Sequence, residues 1–302
     1  MDMGSLLNLQ GKMFLLVAIG VVLRKRGTLP EQGKNILTDL VLGVVLPCNI
    51  INSFRMEFSL DILKRFMVII MVACGIQVVC MIMANTLYNG YHGKMKKVLQ
   101  YATVVSNAGF MGNPIAEGVF GAEGLMFASV YLIPQRIVMW SAGLSYFTES
   151  SSKKALVKKV ATHPCIVAVY VGLILLITQL PLPEFLGSTI RSVGNCTTPL
   201  SMILIGTILA EVDVKSIMSR TVLAYTGIRL VIIPLIALIG CRLFHVDGLI
   251  TGVSVLLAGM PAGSSTAILA AKYDGDYKFA TKCVVVSTVL SLVTIPLWCM
   301  VL

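Results

Sequence analysis

Charge is what this chain has least of. Asp, Glu, Lys and Arg make up 13% of its 302 residues, against roughly 25% in a soluble domain. That shortage excludes an ordinary water-soluble globule. No long linker or low-complexity stretch divides the chain, and its longest polar run, Thr148 to Lys159, is short and central. The eight cysteines sit singly in apolar segments without a CxxC pair, so neither a disulfide framework nor a metal site is implied. Histidine is rare. His92 lies in a loop and His163 and His245 near segment ends. No nucleophile–base or aspartate pair falls inside an apolar segment, which argues against an intramembrane protease or other enzyme. No nucleotide-binding motif is present, so ATP is not the direct energy source.

What remains is apolar sequence. Runs of mostly apolar residues recur along the chain, each matching the roughly 20 residues a helix needs to cross a bilayer. The expected spans are 5–23, 35–53, 64–88, 97–118, 123–147, 161–180, 191–210, 217–243, 247–272 and 278–301. The first apolar run has no positive charge before Lys12 and reads as a spanning helix, not a cleaved signal. The net charge of +10 does not mark a nucleic-acid binder, because Lys and Arg cluster at segment ends. If the N-terminus is outside, inner loops hold 16 of these residues and outer loops 5. The positive-inside rule then places both termini outside. The expectation is a multi-pass protein of the cell (plasma or inner) membrane in contact with lipid.

The chain also reads as one unit written twice. Pro47 and Asp61 recur as Pro199 and Asp213, and Gly20 as Gly172, all at an offset of 152 residues. Five spans per half predict a 5+5 inverted repeat, residues 1–150 followed by 151–302. Spans four and nine are interrupted in corresponding places, by Asn107-Ala108-Gly109-Phe110-Met111-Gly112-Asn113-Pro114 and by Ala258-Gly259-Met260-Pro261-Ala262-Gly263-Ser264. Proline lacks an N–H and clashes with the preceding turn, and glycine lets backbone approach closely. Such breaks are tolerated in a membrane only where protein or a wet cavity receives them. After each break a new half-helix is expected, with proline near its first position, and its free N–H groups attract anions.

The expected binding residues are therefore Asn107, Gly109, Gly112, Asn113 and Pro114 at one break, and Pro261, Ala262, Gly263, Ser264 and Ser265 at the other, with Thr266 adding a donor. Arg136 and Arg229 lie inside spans five and eight, and no Asp or Glu lies deep in any span to pair with them. Embedded cations without an embedded acid fit an anionic ligand; snorkelling to lipid headgroups is the plainer reading of each. Gln77, Asn49 and Asn52 serve either the site or helix–helix hydrogen bonding. Backbone carbonyls at the breaks could coordinate Na⁺, and Glu117 or Asp39 could carry a proton. No other cofactor is expected. A channel or membrane sensor is the alternative to a carrier.

Three stretches resemble the auxin efflux carrier family, in particular its short bacterial members, which lack the long central loop of plant PIN carriers. They are Gly20-Val-Val-Leu-Arg-Lys-Arg-Gly27, Ser106-Asn107-Ala108-Gly109-Phe110-Met111-Gly112-Asn113-Pro114-Ile115, and Met260-Pro261-Ala262 followed by Ala271-Lys272-Tyr273. The plant carriers' Asn-Pro-Asn run reads Asn113-Pro114-Ile115 here. The resemblance implies an all-α fold similar to sodium/bile-acid symporters, with ten helices and two crossing broken ones. Spans one, two, six and seven would form a dimerising scaffold, and spans three to five and eight to ten a mobile transport domain. It also implies an elevator-type secondary transporter of a small organic anion, auxin-like or a dicarboxylate such as malate or malonate, working as a homodimer.

Overall fold

A computed structural model of the chain describes residues 3–55, 57–140, 142–147, 161–210, 219–263, 265–273 and 275–302. Ser264, Lys153, Lys154, Lys158, Lys159, Asp213 and Lys215 lie outside the described residues. The described residues form helices and no strand. We number them α1 (Met3–Lys25), α2 (Glu31–Ser53), α3 (Leu60–Thr86), α4 (Gly93–Val104), α5 (Asn113–Trp140), α6 (Pro164–Thr178), α7 (Glu184–Ala210), α8 (Arg220–Leu243), α9 (Gly248–Ala258), α10 (Ser265–Lys272) and α11 (Tyr277–Val301).

Among the described residues six helical segments are long and apolar enough to cross a membrane: Glu31–Ser53, Leu60–Thr86, Ala108–Met139, Glu184–Ala210, Arg220–Leu243 and Tyr277–Val301. Large apolar side chains such as Leu60, Phe185 and Phe244 are at least 70% exposed, as expected where the surrounding solvent is hydrocarbon. The protein is an all-helical, multi-pass membrane protein.

Prolines shape the long helices locally. Pro47, Pro114 and Pro234 each sit two residues after a wide π turn, at Val41–Val45, Ala108–Gly112 and Ile228–Ile232. The proline ring excludes the carbonyl four residues back and offers it no N–H. A locally widened turn accommodates that defect. For Pro234 the displaced carbonyl is that of Leu230, which accepts from Trp298 Nε1 at 2.9 Å.

Glycines set the tightest approaches. At Gly121 the backbone takes φ 70° and ψ −161° and breaks α5 in two, a conformation open to glycine and strained for other residues. Gly20 of α1 and Gly206 of α7 cross with almost no space. A Cβ on Gly20 would lie 2.1 Å from the Ile203 carbonyl oxygen, and one on Gly206 2.0 Å from that of Val17. Gly172 packs against the Phe54 ring instead.

Helix α1 packs chiefly on the Thr197–Ala210 part of α7, and the Leu46–Ser53 part of α2 on α6. Helices α3, α4 and α5 pack together, as do α8, α9 and α11. Asn49 of α2 donates to Glu117 of α5 at 2.8 Å. At one end of the bundle, Arg65 pairs with Glu123 at 2.7 Å and Asp247 at 2.9 Å, with its guanidinium over the Phe127 ring.

Two expectations need correcting. The first break lies at Val105–Asn107, and helical structure resumes at Ala108 in a π turn, so Pro114, the second residue of α5, follows the start of the resumed segment by six residues. The second half-helix begins at Ser265, leaving Pro261 in extended chain before it.

Candidate functional site

The two breaks cross and pair. Ser106 and Ala262 form an isolated antiparallel bridge. Asn107 N donates to Pro261 O at 2.7 Å, and Gly263 N donates to Val105 O at 3.1 Å. An interrupted membrane helix exposes carbonyls at its C-terminal end, and burying them unpaired costs several kcal/mol each. Here each break supplies partners for the other.

Side chains satisfy the rest. At the end of α4, Tyr225 Oη donates to Ala102 O, Arg229 Nη1 to Thr103 O, and Gln77 Nε2 to Val104 O. At the end of α9, Arg229 reaches Met260 O through Nε at 2.9 Å and Ala258 O through Nη2 at 3.0 Å. Arg229 is thus buried between two helix C-termini, where the partial negative charge of the peptide dipoles favours a cation. The extended chain is pinned as well. Gln135 holds Ser106 through two hydrogen bonds, and Ser287 Oγ accepts from Ala262 N at 3.1 Å.

On the other side of the crossing lies a cavity of about 690 Å³. Ser106, Asn107, Gly109, Gly263 and Ser265 line it, together with Gln135, Arg136 and His163. Its walls are largely apolar, with Leu42, Phe110, Met139, Leu204 and Ile205 among them, and Glu31, Lys34, Asn35, Thr38, Tyr277 and Thr281 come from the N-terminal parts of α2 and α11. The segments resuming after the breaks turn their N-termini to this space, at Asn107–Phe110 and at Ser265. Tyr101 Oη donates to Ser265 Oγ at 3.1 Å.

The embedded arginines thus occupy different surroundings. Arg136 lines the cavity, with Nη1 3.1 Å from His163 Nε2, and no carboxylate pairs with it among the described residues. Gly109 leaves room for it, since a Cβ there would lie 2.8 Å from Arg136 Nη2. Arg229 does not line the cavity, and its guanidinium is engaged by backbone carbonyls.

Five of the residues expected from sequence, Asn107, Gly109, Gly263, Ser265 and Arg136, come together around the cavity. Pro261 and Ala262 belong to the crossing itself. Gly112 packs against Met260 and Leu257. Asn113 is fully buried, and its amide has no partner among the described residues. Sequence reasoning missed Ser106, Gln135, His163 and Ser287 as site residues. One signal could have found two of them: Ser287 follows Gln135 by the same 152 residues that separate the repeated prolines.

Comparison with known proteins agrees with this picture. The membrane transport protein family matches residues 11–162 and 148–299. The chain is 30% identical over 293 residues to an uncharacterized transporter of Methanothermobacter thermautotrophicus, covering 95% of each. It is 24% identical over 301 residues to an uncharacterized transporter of Methanocaldococcus jannaschii, covering 94% of each. Family and relatives are transporters and not enzymes. A helical, multi-pass chain with crossed breaks over a cavity, matched by this family along nearly its whole length, belongs to the membrane transport protein family, the auxin efflux carriers that its motifs resemble.

Proposed function

We propose that the protein is a secondary transporter of a small organic anion, held in the cavity below the crossed breaks. The observation that carries this reading is Arg136, a cation lining an apolar-walled cavity without a carboxylate partner among the described residues. A half-buried guanidinium inside an apolar span favours an anionic partner. The two helical N-termini facing the same space add partial positive charge. Substrates that fit are auxin-like acids or dicarboxylates such as malate and malonate.

Ten spans in a 5+5 inverted repeat are part of the proposal. Thr197 Oγ1 donates to Val45 O, a contact between positions 152 residues apart. Equivalent positions touch only near a pseudo-two-fold axis, which supports the repeat. Gln77 and Arg229, and Gln135 and Ser287, differ by the same offset; the first pair each donates to a carbonyl at a break, and the second pair each bonds the extended chain, Gln135 as donor and Ser287 as acceptor. Helices α1, α2, α6 and α7 would form the scaffold and the homodimer contact, and α3–α5 with α8–α11 the moving domain. The packing of α1 on α7 and α2 on α6 supports that division. With both termini outside the cell membrane, the cavity faces inward.

For the coupling ion we favour a proton carried by Glu117. It bonds to Asn49 across the proposed scaffold boundary, whereas Asp39 is exposed on α2. Carbonyl coordination of Na⁺ is less supported, because most carbonyls at the breaks already accept protein hydrogen bonds.

The test is uptake of labelled malate, malonate and indole-3-acetate into proteoliposomes, with Na⁺ and proton gradients imposed independently. Saturable uptake with counterflow of one acid supports the carrier. Non-saturating current supports a channel and overturns it.

A further inference from the structure

His163 faces a conflict that one missing acceptor would resolve. It caps α6, and its Nδ1 accepts the Cys165 backbone N–H at 3.2 Å. Its Nε2 lies 3.1 Å from Nη1 of Arg136. Both neighbours are obligate donors, since a backbone amide and a guanidinium have nothing to accept with. A neutral imidazole has one accepting nitrogen. If Nδ1 accepts from Cys165, Nε2 carries the proton, and Nε2–H and the guanidinium are two donors turned to the same cavity. Doubly protonating the ring would lose the Cys165 contact as well. Among the described residues Nε2 has no hydrogen-bond partner besides the Arg136 guanidinium.

We propose that His163 is a second substrate-binding residue, whose Nε2–H and the Arg136 guanidinium together receive one carboxylate. The carboxylate takes a hydrogen bond from each through its two oxygens, so two groups that do not satisfy each other are both satisfied by the ligand. This rests on the functional reading above and deepens it. It specifies a planar carboxylate at the cationic end of the cavity, with the rest of the molecule against the apolar wall, and a neutral histidine as the donor. His163 is a specificity residue in this scheme: a bidentate acceptor uses both donors, and a monodentate anion such as chloride leaves one unused.

Two substitutions separate binding from capping. Asn places its side-chain oxygen where Nδ1 now sits, so His163→Asn keeps the cap on Cys165 and loses the donor. Gln places an N–H₂ where Nε2–H now sits, so His163→Gln keeps the donor and weakens the cap. In proteoliposomes, His163→Asn is expected to raise the KM for whichever of malate, malonate and indole-3-acetate the wild type carries, by about tenfold. Its thermal unfolding should match wild type, and His163→Gln should stay near the wild-type KM. The reverse pattern, with Asn normal and Gln impaired, would mean His163 only caps a helix, and the proposal falls while the carrier stands. A wild type that carries none of the three acids overturns both. A direct readout is ¹⁵N NMR of the three imidazoles, His92, His163 and His245. The proton of His163 is expected on Nε2, with that resonance moving when the carried acid is added. A proton on Nδ1 sinks the proposal.

Discussion

Gln77 and Arg229 perform the same task at the two breaks. Gln77 donates to the Val104 carbonyl at 2.7 Å and Arg229 to the Met260 carbonyl at 2.9 Å, each closing the end of an interrupted helix. Of the two, Arg229 alone also reaches the other break, at Thr103 near the end of α4. Its charge therefore serves the fold.

Arg229→Ala would leave three buried carbonyls without donors at two helix ends. We expect a loss of about 3 kcal/mol or more, seen as a lowered unfolding temperature in detergent and poor yield. Normal stability with only a raised KM would contradict this and return Arg229 to the ligand.

Arg136→Ala and Asn107→Ala should behave oppositely. Both side chains line the cavity, and the described residues hold neither by a carboxylate or a network. Unfolding temperatures should stay near wild type while uptake of the carried acid falls, by at least about tenfold for Arg136→Ala. Wild-type uptake in both purified variants would remove them from the site.

Gly109→Ala tests the position of the guanidinium without removing it. The new methyl would meet Arg136 Nη2, the end of a flexible side chain, so the fold should hold. The displaced cation should raise KM with little change in stability; an unchanged KM would show that its position is not critical.

Gly20→Ala tests the α1–α7 crossing. The added carbon would fall 2.1 Å from the Ile203 carbonyl oxygen, which is backbone and cannot swing away. A destabilisation of about 1–3 kcal/mol is expected, measured by thermal unfolding. A neutral result would mean the two helices separate freely.

Glu117→Gln tests the proton. The amide can still meet Asn49 but cannot titrate. Uptake should become insensitive to an imposed pH gradient while exchange of substrate for substrate persists. Retained gradient dependence would exclude Glu117 as the carrier.

Much of this was legible in the residues. Apolar runs set the helices, because a backbone in hydrocarbon has to satisfy itself. Gly and Pro at 107–114 and 258–263 marked where that rule fails, and the cavity lies against both stretches. The exact stop of each half-helix was not legible. It depends on which backbone groups find partners on α3, α5, α8 and α11, and those partners are remote in sequence.

The two embedded arginines show the division most sharply. By itself the sequence determined that Arg136 and Arg229 lie inside apolar spans without a nearby acid, and that an anion or its equivalent has to answer each. Tertiary structure alone decided which answer each receives. Arg229 meets the carbonyl ends of two helices brought together by the crossing, so the protein supplies its counter-charge. Arg136 meets a histidine and a cavity, so on the proposed function its counter-charge would come from the substrate. Local sequence could not distinguish them, because a charge is compensated by whatever the fold places within a few ångströms, from any distance along the chain.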